Sequence, residues 1–215
     1  MRELKFGPPV FITEIDEEFR INLLSEGLKQ KTDARPQLAG HIEDEKMYSR
    51  SLVNIFEAKI LEKIKEYVEF TMVDRGIREN NYKTILNGLW INRQKAGEHN
   101  PPHRHFMGQI SFVIYLDFPE EIRNEQPFSQ KSYHPGTISF FYGNNTQLEV
   151  AAENRIVDKL LSPINVIEHK PQKGEMIIFP AYLMHYVAPF YSNGVERISV
   201  SGNVTIIESN IKTII

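Results

Sequence analysis

Six short runs rich in β-branched and aromatic residues, TILNGLWINR, GQISFVIYLDF, TISFFYG, EMIIFP, YVAPFY and RISVSGNVTII, follow one another from about Tyr82 onward. Clusters of Gly, Pro, Asn and Ser separate them, and that rhythm is the pattern of a β-sandwich or closed barrel. The last run alternates strictly: Ile198, Val200, Gly202 and Val204 stand on one face, and Arg197, Ser199, Ser201 and Asn203 on the other. A half-buried strand with its polar side in water reads this way. In a closed barrel covered by helices, the apolar face turns to the helices and the polar face inward, where a charged ligand gives it a reason to be polar.

The helices to cover such a barrel lie before Tyr82. Phe19, Leu23 and Leu24 recur at helical spacing between Asp16 and Lys29, with three carboxylates in the first turn. Leu52, Ile55, Phe56, Ile60, Ile64, Tyr67 and Val68 draw a longer apolar stripe that ends before Gly76. Between them KTDARPQLAGHIEDEK reads as loop, and residues 1–10 as a short extended segment that seats Val10 and Phe11 on the core. The chain is therefore mainly β with N-terminal helices (α+β), one domain over 1–215, with a helical support region at 1–80 and a β core at 82–209. The polar stretches Glu120–His134 and Asn144–Asn165 read as segments that border an active site and choose its substrate.

Several functions are excluded by composition. With 25 basic and 28 acidic side chains in 215 residues, no general nucleic-acid or anionic-membrane surface is expected. No apolar run approaches a membrane span, and MRELKFGPPVF lacks the apolar stretch of a signal peptide, so a cytoplasmic protein is expected. The absence of cysteine removes disulfides, thiolate metal sites and a cysteine nucleophile together. Any bound metal must have nitrogen and oxygen ligands.

In GEHNPPHRHFMGQISFVIY, His103 and His105 are two residues apart and share a face if the segment is extended. Two neutral imidazoles on one face are half a metal site, and His185, in PQKGEMIIFPAYLMHYVAP, is the best candidate to complete it. An unbroken strand would put Gln109, Ser111, Val113 and Tyr115 on the same face. His99 ranks behind these, while His41, His134 and His169 read as surface histidines.

From Trp90 to Asn203 the chain resembles the 2-oxoglutarate- and Fe(II)-dependent dioxygenase superfamily, and most closely its small bacterial and phage oxygenases related to prolyl hydroxylases. The resemblance rests on W-I-N-R-x-x-x-G-x-x-N-P-P-H-R-H, S-F-V-I-Y-L, P-x-x-G-E-M-I-I-F-P-x-x-x-x-H-Y-V-x-P and R-I-S-V-S-G-N, in that order. It implies a double-stranded β-helix (jelly-roll, cupin-like) core, and His103, His105 and His185 as catalytic iron ligands. It also implies 2-oxoglutarate as cosubstrate, clamped by Arg197 with Ser199 and Tyr115, with Asn92 on the strand entering the site. Ascorbate is an accessory reductant the resemblance allows. The implied reaction is hydroxylation of a small-molecule or peptidyl substrate, a prolyl residue first, with release of succinate and carbon dioxide.

The superfamily's usual triad is His-x-Asp/Glu…His, and His105 stands at the carboxylate position. Either three imidazoles bind the iron, or a carboxylate such as Asp117 or Glu175 replaces His105 and leaves that ring an orienting role. A cupin-type metal-dependent dioxygenase, isomerase or sugar-binding module is the alternative. Its pattern takes Gly97, His103 and His105 with Gln109 at the glutamate position, then Gly174, Pro180 and His185, but meets Tyr182 where glycine is expected. A non-catalytic jelly-roll protein is the third reading. Arg197, Ser199 and Tyr115 favour the oxygenase.

Overall fold

In a computed structural model that describes residues 7–77, 82–129, 133–143 and 166–208, the chain opens with strand β1, Phe11–Glu14. Asp16 then starts helix α1, Glu17–Gly27, by accepting the Phe19 N–H at 2.7 Å, with Glu17 and Glu18 at the favourable end of the helix dipole. The segment expected to be loop holds two short strands, β2 (Thr32–Asp33) and β3 (Asp44–Met47). Ser49 caps helix α2, Arg50–Asp74, which buries Val53, Phe56, Ile60, Ile64, Tyr67 and Val68. Ile55, expected in that stripe, is 68% exposed, because a one-residue step turns the helix by about 100° away from Phe56.

The β core follows: β4 (Tyr82–Gln94), β5 (Asn100–His103), β6 (Ile110–Asp117), a five-residue helix α3 (Glu120–Asn124), β7 (Ile138–Phe141), β8 (Val166–His169), β9 (Glu175–Pro180), β10 (Met184–Val187) and β11 (Arg197–Glu208). Helix α3 opens the polar stretch Glu120–His134; residues 130–132 of that stretch, and Asn144–Asn165, lie outside the described residues. One sheet runs β1-β9-β6-β11-β4-β3-β2 and the other β5-β10-β7-β8, every pairing antiparallel. This is the expected double-stranded β-helix with supporting helices.

Residue parity decides what each face of the large sheet meets. Ile114 and Leu116 of β6, Leu89 and Ile91 of β4, and Val200 of β11 turn outward onto Phe56, Ile60 and Ile64 of α2 and Leu23 of α1. Ile60 and Ile64 are fully buried there and contribute about 1.5–3 kcal/mol apiece. The opposite face meets the small sheet: Val113, Tyr115, Ile177 and Phe179 pack on Ile138, Phe140 and Val187. Gly202, opposite Phe112 in the ladder, is required by close approach, since a Cβ there would lie 2.5 Å from the Phe112 ring and 2.8 Å from the Gly88 carbonyl oxygen. No helix among the described residues is long and apolar enough to cross a membrane.

Candidate metal centre

Strands β5 and β10 pair with His103 opposite His185, which sets their rings 4.2 Å apart between the sheets. His105 is not on that strand. Beyond His103 the chain continues as a link, pinned by the bond from the His105 N–H to the Ala181 carbonyl at 2.8 Å. The link brings the third ring to 5.3 Å from His103 and 5.1 Å from His185. One nitrogen from each lies within 4.8 Å of the other two, and among the described residues this is the one cluster of three such side chains that could hold a metal ion.

The rings are oriented by what their Nδ1 atoms meet. His103 Nδ1 lies 2.7 Å from the Pro101 carbonyl oxygen, His185 Nδ1 2.9 Å from that of Leu183, and His105 Nδ1 2.9 Å from Asn203 Oδ1. Each partner accepts, so the proton belongs on Nδ1 and the Nε2 lone pair is left for a ligand. Burial drives all three pKa values below the ordinary histidine value, to about 4 for His105 and about 3 for His185, where the neighbouring His103 adds to the effect. Neutral, convergent imidazoles are the state a divalent iron ion requires, so the donor set fits the metal.

Asn203 and Ser111 are contributors whose roles the sequence did not assign. Ser111 Oγ donates to Asn203 Oδ1 at 2.7 Å, fixing the amide that orients His105. Asn203→Ala is expected to weaken Fe(II) binding roughly 10- to 100-fold, with Asn203→Asp retaining it. Anaerobic equilibrium dialysis of the two variants checks this, and equal affinity in the alanine variant would remove Asn203 from the site.

The other candidates are placed elsewhere. Glu175 accepts from the Gln172 N–H at 3.0 Å and meets His169 Nε2 at 2.7 Å, so His169 is a partner of a buried carboxylate and not an ordinary surface histidine. Asp117, at the end of β6, does not belong to the cluster. His99 stacks on His41 at 5.0 Å, and His134 lies against Glu168. Gln109 does not share the site face: Gly108, at φ +111°, breaks the strand, and Gln109 Oε1 accepts from the Ile206 N–H on an exposed edge. The cupin glutamate position therefore points away from the metal cluster.

A cavity of about 50 Å³ adjoins the cluster, with Trp90, Tyr115, Phe179, Arg197, Ser199 and Ser201 in its walls and Phe112 contributing from the helix-facing layer. The Trp90 indole stacks on His105 at 6.1 Å. Arg197 is 3% exposed, donates to the Gly136 carbonyl at 2.8 Å and to Gln94 Oε1, and leaves its Nε without a partner. No carboxylate pairs with it among the described residues. Its guanidinium lies 5.7 Å from the Tyr115 ring, whose hydroxyl is pushed up to about 12 by burial. A buried cation with a free donor and only neutral partners fits a carboxylate ligand. Asn92 stands behind this wall, its amide reaching Ser199 Oγ at 3.4 Å and Ser201 Oγ at 3.3 Å.

Residues 88–203 match the family model described as "Putative 2OG-Fe(II) oxygenase". No curated protein matches the sequence. Among solved structures, the fold is similar to an oxidoreductase of the 2OG-Fe(II) oxygenase family from Burkholderia pseudomallei, at 14% identity and TM-score 0.54 over 91% of this chain and 84% of that one. It is similar also to HygX from Streptomyces hygroscopicus with nickel and 2-oxoglutarate bound, at 11% identity and TM-score 0.51 over 91% and 82% of the two chains. SnoN, a non-heme α-ketoglutarate-dependent epimerase from nogalamycin biosynthesis, gives 13% identity and TM-score 0.52 over 93% and 78%. At these identities the likeness concerns the fold. The family match spans more than half of the chain and takes in the three clustered histidines and Arg197: the chain belongs to the 2OG-Fe(II) oxygenase family, an oxidoreductase working with Fe(II) and 2-oxoglutarate.

Proposed function

We propose that the protein is a 2-oxoglutarate-dependent Fe(II) hydroxylase in which Nε2 of His103, His105 and His185 holds the iron and Arg197 holds the far carboxylate of 2-oxoglutarate. The observation that carries this reading is the buried Arg197, bonded among the described residues only to neutral partners, in the wall of the cavity that the three neutral imidazoles also line. Three neutral ligands leave the metal at +2, which the dianionic cosubstrate balances. Bound iron and 2-oxoglutarate supply the oxidising chemistry, in which dioxygen is consumed with decarboxylation to succinate and carbon dioxide and one oxygen atom goes to a substrate C–H bond.

The residues of the chain place and shield those partners. The Arg197 fork takes a carboxylate in place of the neutral Gln94 oxygen, and Ser199 and Tyr115 flank it. Asn92 fixes the Ser199 and Ser201 hydroxyls from behind. Trp90 and Phe179 keep water from the reacting side. The substrate we assign is a prolyl or other peptidyl residue, on the resemblance to prolyl hydroxylases, processed in the cytoplasm by 1–215 acting as one domain.

Anaerobic titration of the Fe(II)-loaded protein with 2-oxoglutarate tests the reading. A saturating visible metal-to-ligand charge-transfer band is expected. Iron binding without the band points to a cupin, and no iron binding to a non-catalytic jelly roll.

A further inference from the structure

Strand β3 brings an acidic side chain onto the inner face of the large sheet. Glu45 pairs with Asn92 on β4, Asn92 with Ser199 on β11, and Ser199 with Tyr115 on β6, so the four share one cross-strand row. Residues directly opposite in a ladder project to the same side, and strands lie roughly 4.8 Å apart. Glu45 therefore stands about 10 Å from Ser199, which lines the cavity, and one diagonal step from Trp90, which stacks on His105.

The row ends in unmet acceptors. Glu45 is 1% exposed and its Oε2 has no hydrogen-bond partner; Asn92, on the adjacent strand, is 5% exposed and its Oδ1 has none either. No lysine or arginine pairs with Glu45 among the described residues. Arg35 is committed to Asp33 at 2.7 Å, and Lys46 to Asp44 at 3.5 Å. A second carboxylate adds to the negative field, since Glu98 is anchored by the N–H groups of Glu43 at 3.0 Å and Lys95 at 2.7 Å. Burial first and Glu98 second raise the Glu45 pKa to about 7. Arg35 and Lys46 offset that rise only in part, so near neutral pH a proton meets much of the cost of burying this acid, and a cation bound beside it would take the proton's place.

We propose that Glu45, with Asn92 beside it, receives a cationic nitrogen of the prime substrate, so that the substrate class is an amine-bearing molecule or a basic peptidyl residue. An ammonium carries several N–H donors and one positive charge, which answers two unpartnered acceptors in an anionic setting. This rests on the oxygenase reading of the adjoining site and, at substrate choice, replaces the prolyl residue taken from the resemblance with a substrate that carries a cationic nitrogen.

The test uses protein loaded with Fe(II) and 2-oxoglutarate under anaerobic conditions, titrated calorimetrically with benzylamine, protonated at pH 7, and with benzyl alcohol as its neutral counterpart. Wild type is expected to bind benzylamine at least about tenfold more tightly than the alcohol. Glu45→Gln, close to the same size and shape, is expected to erase that preference, while the charge-transfer band of its iron complex reports an intact fold. Equal binding of the two probes by wild type, binding of neither, or a preference that survives in Glu45→Gln overturns the proposal. A purely structural Glu45 would leave the preference unmoved. Failure of the oxygenase reading is separate, because it appears as a missing band in wild type before any probe is added.

Discussion

Arg197→Ala raises the 2-oxoglutarate requirement at least about 100-fold and leaves Fe(II) affinity unchanged. The size follows from the setting: removing one side of a buried, hydrogen-bonded charge pair costs roughly 2–5 kcal/mol, and about 2.7 kcal/mol is already a factor of 100. The selectivity follows from the topology, because the clustered imidazoles come from β5, β10 and the link after β5, whereas Arg197 opens β11. Arg197→Lys keeps the charge but not the two-pronged fork, and falls between the two. Cosubstrate dependence of succinate formation, beside anaerobic iron titration, checks the prediction. An unchanged 2-oxoglutarate requirement would remove Arg197 from the clamp; joint loss of iron and cosubstrate binding would indicate misfolding, which circular dichroism distinguishes.

His185→Ala has the second large effect, a loss of iron affinity on the order of 1000-fold, about one ligand's share of a three-ligand site. His185 is buried with its ring 4.8 Å from that of Phe179. Truncation therefore also leaves a void, and His185→Gln, which fills the space, should lose iron equally. His105→Ala discriminates further. If it retains iron at wild-type affinity, a carboxylate outside the described cluster completes the site and His105 has the orienting role instead. If it loses iron as His185→Ala does, three imidazoles form the centre.

Much of this architecture was legible wherever side-chain parity is set by burial. Arg197, Ser199, Ser201 and Asn203 read as one polar face because the other face of β11 must meet the helices, and Val200 and Val204 do so. His103 and His185 were legible because the residues around them, from the Pro101-Pro102 pair to Phe179-Pro180, fix local geometry. Three things were not. The link after His103 delivers His105 through a backbone bond to Ala181, which no side-chain period encodes. Gln94 shares its parity with Trp90 and Asn92, but the alternation along β4 gives only that face and not its contact with Arg197. Strand β3 reads DEKM, a charged stretch without apolar alternation, so nothing in the sequence alone marked Glu45 as buried.

Strand β11 gives this protein an uncommon internal check. Its inward residues supply the buried Arg197, two cavity hydroxyls and, through Asn203, the orientation of His105. A shift of one residue against β4 and β6 would turn all of them to the helix side at once. Such a chain could remain collapsed and rich in sheet and keep its imidazoles on β5, β10 and the link, holding iron more weakly without Asn203, yet it would be blind to the cosubstrate. The molar ratio of 2-oxoglutarate to iron bound in a preparation is then a count of correctly registered molecules, and refolding can be followed by cosubstrate uptake where bulk spectroscopic probes of secondary structure would register little change.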